Sequence, residues 1–224
     1  MTLTREIASE ITSQVASQVT GQITGLVLAG GRGVRMGGAD KGLLPWAGAT
    51  LAGHALGRLR HQAGPLAISA NRHIAHYQSL GVPVWPDEQA FEGPLGGMLA
   101  GLVHCQTLWL LCVPCDAPFF PLDLAPRLAQ AVGTEPGQAR MAVARAHSAG
   151  PQPVFCLMHR SLRDTLAQYL ATGGRRVGHW ARVAAAVWVD FEDEGFRNLN
   201  TPEDLAAHAA PHPAPHATGD GTAH

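Results

Sequence analysis

The chain has 224 residues, 46% of them hydrophobic, which is enough apolar content for one sizeable core and favours a single domain. Sixteen basic side chains against seventeen acidic ones leave a formal charge of −1, so no broad positive field exists for a nucleic-acid backbone. The longest apolar stretch, residues 108–113, is far short of the roughly 20 residues of a membrane helix, and neither nucleic acid nor membrane is an expected partner.

In chain order, residues 1–22 are rich in Ser, Thr and Gln, carry Glu6 and Glu10, and lack the apolar run of a secretory signal. A disordered leader and a cytoplasmic location are expected, with a weak amphipathic helix as the alternative for the repeated Ser-Gln-Val. Residues 23–207 then read as one domain. A strand is predicted over 23–28, a helix over 51–59, a strand over 66–70, a helix over 74–80 and a strand over 82–85. The pattern repeats with a helix over 95–103, a strand over 108–113 and a helix over 122–132. Strands over 141–144 and 154–157, a helix over 162–170 and a strand over 186–189 follow. Thr201 caps a closing helix, with Pro202 and Asp204 in its first turn. Such alternation predicts an α/β fold, a mostly parallel central sheet with helices on both faces. Residues 208–224 are rich in His, Pro and Ala and read as a disordered tail; His208, His212 and His216 have chelating spacing, but the intervening prolines break the helix it needs. Cys112 and Cys115 form a C-x-x-C without a second pair for zinc, so all four cysteines are expected as reduced thiols, these two as buried small hydrophobes.

In open sheets of this kind, ligands sit beyond the carboxyl ends of the strands, so the residues there carry the functional argument. After the first strand comes a glycine-rich loop from Leu28 to Leu44 that also contains Arg35 and Lys41. Its glycines allow close approach of backbone N–H groups to phosphate oxygens, and its cations neutralise phosphate charge. It is neither a Walker A loop, since Lys41 follows Asp40, nor a dinucleotide fingerprint, since the position for the third glycine holds Met36. Ser69, Asn71 and Arg72 follow the second strand. Asp87 follows the third and reads equally as turn chemistry beside Pro86 or as an acceptor for the N1–H and amine edge of guanine. Asp116 follows the fourth, between prolines at 114 and 118, placed to hold Mg2+ on phosphate oxygens, with a turn-forming Asp as the alternative. Gly93-Pro94-Leu95 forms a second glycine-rich bend entering a helix, suited to close backbone approach by a ligand.

These residues together carry a family likeness. Leu-Ala-Gly-Gly at 28–31, Arg35-Met36-Gly37-Gly38-Ala39-Asp40-Lys41-Gly42, Asp87, Gly93-Pro94-Leu95, Cys115-Asp116-Ala117-Pro118, Arg175-Arg176-Val177 and Asn198-Leu199-Asn200-Thr201-Pro202-Glu203 resemble the molybdenum cofactor guanylyltransferases over residues 23–205. The resemblance implies a Rossmann-like, GT-A-type nucleotidyltransferase that moves GMP from GTP onto the terminal phosphate of molybdenum-molybdopterin and releases pyrophosphate. By motif it implies that Leu28, Ala29, Gly30 and Gly31 wrap the nucleotide phosphates, Lys41 binds GTP, Asp87 contacts the guanosine and Asp116 binds Mg2+. Arg35 matches the loop arginine and is expected, with Lys41 and Asp116, to act in catalysis. Asn198 and Asn200 match asparagines near the metal and pterin side, and Arg175 and Arg176 match a basic pair assigned to the pterin phosphate. Ser69 stands where relatives carry Asn and Gln152 where His often precedes the Pro-Val strand, so either Ser69 or Asn71 is the expected nucleotide contact. Implied partners are GTP, molybdenum-molybdopterin, molybdopterin-handling proteins and molybdoenzyme apoproteins, for a monomer or weak oligomer. The molybdopterin cytidylyltransferases, other nucleotidyltransferases and a non-catalytic GTP- or pterin-binding module stand as alternatives.

Overall fold

The structure, a computed structural model, describes residues 21–29, 40–87 and 93–208, so residues 1–20, 30–39, 88–92 and 209–224 lie outside the described residues. In chain order they form β1 (Ile23–Leu28), a hairpin of β2 (Pro45–Trp46) and β3 (Ala49–Thr50), α1 (Leu51–Leu59), β4 (Leu66–Ser69), α2 (Ile74–Gln78) and β5 (Val84–Trp85). There follow α3 (Pro94–His104), β6 (Trp109–Pro114), α4 (Leu124–Gln130), β7 (Met141–Ala146) and β8 (Gly150–His159). The chain closes with α5 (Arg163–Ala171), α6 (Val177–Val183), β9 (Val187–Phe191) and α7 (Pro202–Ala207).

The large sheet has the order β5-β4-β1-β6-β8-β7-β9. All six residues of β1 are buried, as an inner strand covered on both faces requires. Alternation across the sheet then divides the core. Ile23, Val27, Leu111 and Val113 meet α1, α2 and α4 on one side, while Leu26, Leu28, Leu110 and Cys112 meet α3, α5 and α6 on the other. All four cysteines are buried and free, as expected. Along β5, β4, β1 and β6 the pairing is parallel, and β7 pairs parallel with β9. Only β8 runs antiparallel to both neighbours, because residues 147–149 between β7 and β8 suffice for a turn and not for a crossover.

Two features escape the periodicity reading. The β2–β3 hairpin turns on Ala47 and Gly48, both with positive φ. Helix α6 buries Val177, Trp180 and Ala181, a helical i, i+3, i+4 set too short to stand out beside α5. The last helix is as expected: Thr201 and Asp204 form a reciprocal capping box and Pro202 occupies the first turn. Trp46 ties it down by donating its indole N–H to the Leu205 carbonyl at 3.1 Å. His208 closes this helix, its ring tilted against that of Phe119 with centroids 5.6 Å apart.

Helix α3 packs so close to the sheet that residue 97 has room for no side chain: a Cβ there would lie 2.5 Å from Ser69 Oγ and 2.9 Å from Leu28 Cδ2. Gly97→Ala is therefore expected to lower stability by about 1–3 kcal/mol through overpacking, read by thermal unfolding; an unshifted melting temperature refutes the close-packing account. No described helix is long and apolar enough to cross a membrane.

Strand register brings the functional edge together. Leu28 pairs with Ser69 and with Pro114, and Ser69 pairs with Trp85, so the carboxyl ends of β1, β4, β5 and β6 are level. Running the other way, β8 contributes its first half to the same rim.

Candidate active site

Beyond that rim lies a cleft of about 330 Å³. Leu28 and Ala29 from the end of β1, Ser69 from β4, Asp87 beyond β5 and Pro114–Asp116 from β6 form its floor and one side. Gly93, Pro94 and Gly97 bring the amino end of α3 to it, directing the partial positive charge of an 11-residue helix inward. Gln152–Phe155 of β8 form the opposite wall, and Lys41 and Asn198 complete it.

At one end of the cleft, Lys41 Nζ lies 2.8 Å from Asp116 Oδ2, although 75 residues separate them. Lys41 is presented by a single 3-10 turn over Lys41–Leu43, and Asp116 by the bend that follows β6. Their side chains remain 24% and 21% exposed, so the pair is solvated from the cleft and open to exchange with a ligand. Lys41 also donates to Asn200 Oδ1. The approach to α7 holds Asn200 there: the Asn200 and Thr201 N–H groups donate to Asp204 Oδ2, each at 2.9 Å. Those bonds also hold the Asp204 carboxyl below its ordinary range. Next to it, the Leu199 N–H donates to the Asp116 carbonyl at 2.7 Å, so the segment that carries Asn198 and Asn200 is bonded directly to the residue carrying the carboxylate.

At the other end, Asp87 is clamped. Asn71 Nδ2 donates to Asp87 Oδ2 at 3.0 Å, the Asp87 N–H donates to Asn71 Oδ1 at 2.8 Å, and Ser69 Oγ lies 3.4 Å from Asp87 Oδ1. Burial pushes the Asp87 carboxyl up, opposed by the hydrogen bonds from Asn71 and Ser69. Each carboxylate oxygen keeps lone-pair capacity for a further donor.

Residues 25–185 match the MobA-like NTP transferase domain. The chain belongs to the MobA-like NTP transferase family. This family member is a nucleotidyltransferase, 50% identical over 189 residues to the molybdenum cofactor guanylyltransferase of Cupriavidus pinatubonensis, a match covering 83% of this chain and 95% of that protein. Its fold is shared by molybdopterin-guanine dinucleotide biosynthesis protein A from Archaeoglobus fulgidus, with a TM-score of 0.65, 20% identity and coverage of 83% and 96% of the two chains. It is shared too by Rv0371C of Mycobacterium tuberculosis H37Rv in complex with manganese, with a TM-score of 0.60, 20% identity and coverage of 84% and 98%.

In this MobA-like transferase the expected site residues separate into three groups. Leu28, Ala29, Lys41, Ser69, Asp87, Asp116 and Asn198 line one cleft, with Asn71 and Asn200 bonded to its Asp87 and Lys41. Gly30, Gly31 and Arg35 lie outside the described residues. Arg175 and Arg176 do not line the cleft: Arg175 donates to the Leu170 carbonyl at 2.9 Å and to the Gly174 carbonyl at 2.7 Å, and the Arg176 backbone starts α6. Ser69 and Asn71, expected as alternative nucleotide contacts, both bond to Asp87. No local sequence signal marks the Pro153–Phe155 wall, since it enters the cleft only because β8 reverses direction.

The donors near Asp116 suit a hard divalent cation. Among the described residues no group of three or more His, Cys, Asp or Glu gathers to cage an ion. One carboxylate reached from an open cleft is nevertheless the kind of protein ligation Mg2+ accepts, because it keeps several waters and takes further oxygens from substrate phosphates. Asp116 would hold it, with Asn198 at the same cleft.

Proposed function

We propose that this chain transfers GMP from GTP to the terminal phosphate of molybdenum-molybdopterin, forming molybdopterin guanine dinucleotide and pyrophosphate. The observation that carries this reading is the 2.8 Å meeting of Lys41 and Asp116 in a cleft whose other end holds a clamped Asp87. Half-identity with a protein named molybdenum cofactor guanylyltransferase supports the choice of substrates.

The attacking phosphate monoester is a competent nucleophile without proton removal, so the obstacle is repulsion between anions and their alignment. Lys41 is assigned to the phosphates of GTP, where its ammonium offsets the charge that passes to departing pyrophosphate. Asp116 is assigned to a divalent cation, taken as Mg2+; when bound, the ion supplies charge neutralisation and polarises the phosphoryl oxygens. The manganese in the complex of the M. tuberculosis neighbour favours divalent metal use here. Leu28, Ala29, Gly30 and Gly31 are assigned to the nucleotide phosphates, and Arg35 of the same loop, with Lys41, to the charge of the departing pyrophosphate. Asn198 and Asn200 are assigned to the metal and pterin side, and Arg175 and Arg176 to the pterin phosphate. Asp87, oriented by Ser69 and Asn71, accepts the N1–H and exocyclic amine of guanine, an edge absent from adenine.

From this follows an expected result: Asp87→Asn narrows the preference for GTP over other nucleotides by about tenfold or more, since the carboxamide presents a donor where guanine needs an acceptor. Competition binding of GTP, ATP and CTP reads it, and an unaltered preference removes Asp87 from base recognition.

The whole reading is tested by mixing the purified chain with GTP, Mg2+ and molybdenum-loaded molybdopterin. A product of guanine dinucleotide mass with one equivalent of pyrophosphate is expected. Saturable GTP binding without pyrophosphate release would mark a binding module, and preferred turnover of CTP would mark a cytidylyltransferase.

A further inference from the structure

One buried polar side chain stands behind the cleft without lining it. Tyr77, on α2, has no exposed surface, yet its hydroxyl donates to Asp40 Oδ1 at 2.5 Å. The same oxygen accepts the Gly42 N–H at 3.2 Å. The Leu43 N–H donates to the Asp40 carbonyl and the Leu44 N–H to the Lys41 carbonyl, both at 3.1 Å, which closes the turn that presents Lys41. A side chain at residue 42 would overlap the phenolic oxygen, so glycine lets the turn lie flush on the ring. Burial and the bond to Asp40 push the phenol up, keeping it a donor. Helix α2 also follows directly on Ser69 and Asn71, the two residues that hold Asp87.

We infer that Tyr77 is a positioning residue for nucleotide binding: through Asp40 it sets the turn that carries Lys41 and joins it to the segment that orients Asp87. This rests on the reading that Lys41 engages the phosphates of GTP. A core tyrosine that only fills space would need its ring and not its hydroxyl. Tyr77, by contrast, spends a buried hydroxyl on a carboxylate one residue from the lysine, and the ammonium at the end of a long flexible side chain is placed only as well as its backbone is placed.

The test is a double-mutant cycle on the full chain with Y77F, K41A and the combined variant, titrating GTP with Mg2+ by calorimetry and following thermal unfolding in parallel. Y77F is expected to weaken GTP binding about tenfold in the parent chain and to add nothing in the K41A background. In turnover assays the change should fall on KM for GTP more than on kcat. Should Y77F fail to fold, D40A run through the same cycle carries the same expectation. A Y77F variant that binds GTP like the parent, whatever its melting temperature, overturns the inference. An equal loss in both backgrounds overturns it too, since the phenol would then act by another route. K41A binding GTP normally would instead overturn the assignment of Lys41 to the phosphates, and the inference with it, and that result is distinct from the other two.

Discussion

Asp116→Asn is expected to leave the fold intact and to cut pyrophosphate release by about 10²–10³-fold, the scale of losing one strong electrostatic stabiliser of a phosphoryl or acyl transfer. The variant keeps an oxygen that accepts from Lys41 Nζ, and both groups remain partly exposed, so loss of the ion pair costs at most about 1 kcal/mol of stability. What it removes is the formal negative charge that a divalent cation needs. The backbone beside it is untouched, because the Leu199 N–H donates to the Asp116 carbonyl and not to its side chain. The measurement is pyrophosphate release at saturating GTP and Mg2+, alongside a melting curve that shows the variant folded. A folded Asn variant with near-normal release would remove Asp116 from the chemistry.

The second large effect belongs to Lys41→Ala. Its ammonium is the only cation among the residues that line the cleft in the described structure. Truncation is expected to weaken GTP binding by roughly tenfold to a hundredfold, the range of a charge-assisted hydrogen bond, and to slow turnover as well. The two parts have separate causes: affinity falls because the phosphates lose a counter-charge in the ground state, and turnover falls because the same charge is needed more as pyrophosphate leaves. Loss should be larger at low ionic strength, where screening is weak. Calorimetric titration of GTP at two salt concentrations checks it; an unchanged titration contradicts the assignment of the loop cation to phosphate.

Much of this site is legible from residues alone. Lys41 and Asp116 each stand out because each follows an apolar strand run, and strand ends in a parallel sheet share an edge. The closing helix is equally readable, since Thr201, Pro202 and Asp204 act on backbone groups within one turn. What escapes is anything that depends on where a side chain turns. Ser69 and Asn71 look alike as nucleotide ligands, and only the tertiary structure shows that both bond to the Asp87 carboxylate. Tyr77 falls within the helix predicted over 74–80, and no local pattern shows that its hydroxyl reaches back 37 positions to Asp40. Arg175 and Arg176 match a basic pair in sequence, and only the structure shows that Arg175 donates to two carbonyls of its own segment.

The division has a physical cause. Hydrophobic period, glycine content and capping chemistry act over a few neighbouring residues, and they already specify the α/β alternation, the buried inner strands, the bounds of β1 and α1, and the loop and strand-end positions of Lys41, Asp87 and Asp116. Register acts between segments far apart. It is the pairing of Leu28 with both Ser69 and Pro114 that makes the strand ends level, and the reversal of β8 that supplies the wall from Gln152 to Phe155. The contacts of Lys41 with Asp116 and Asn200 likewise arise only when segments 75 and 159 positions apart are packed on one sheet edge, because no local preference carries information over such a separation.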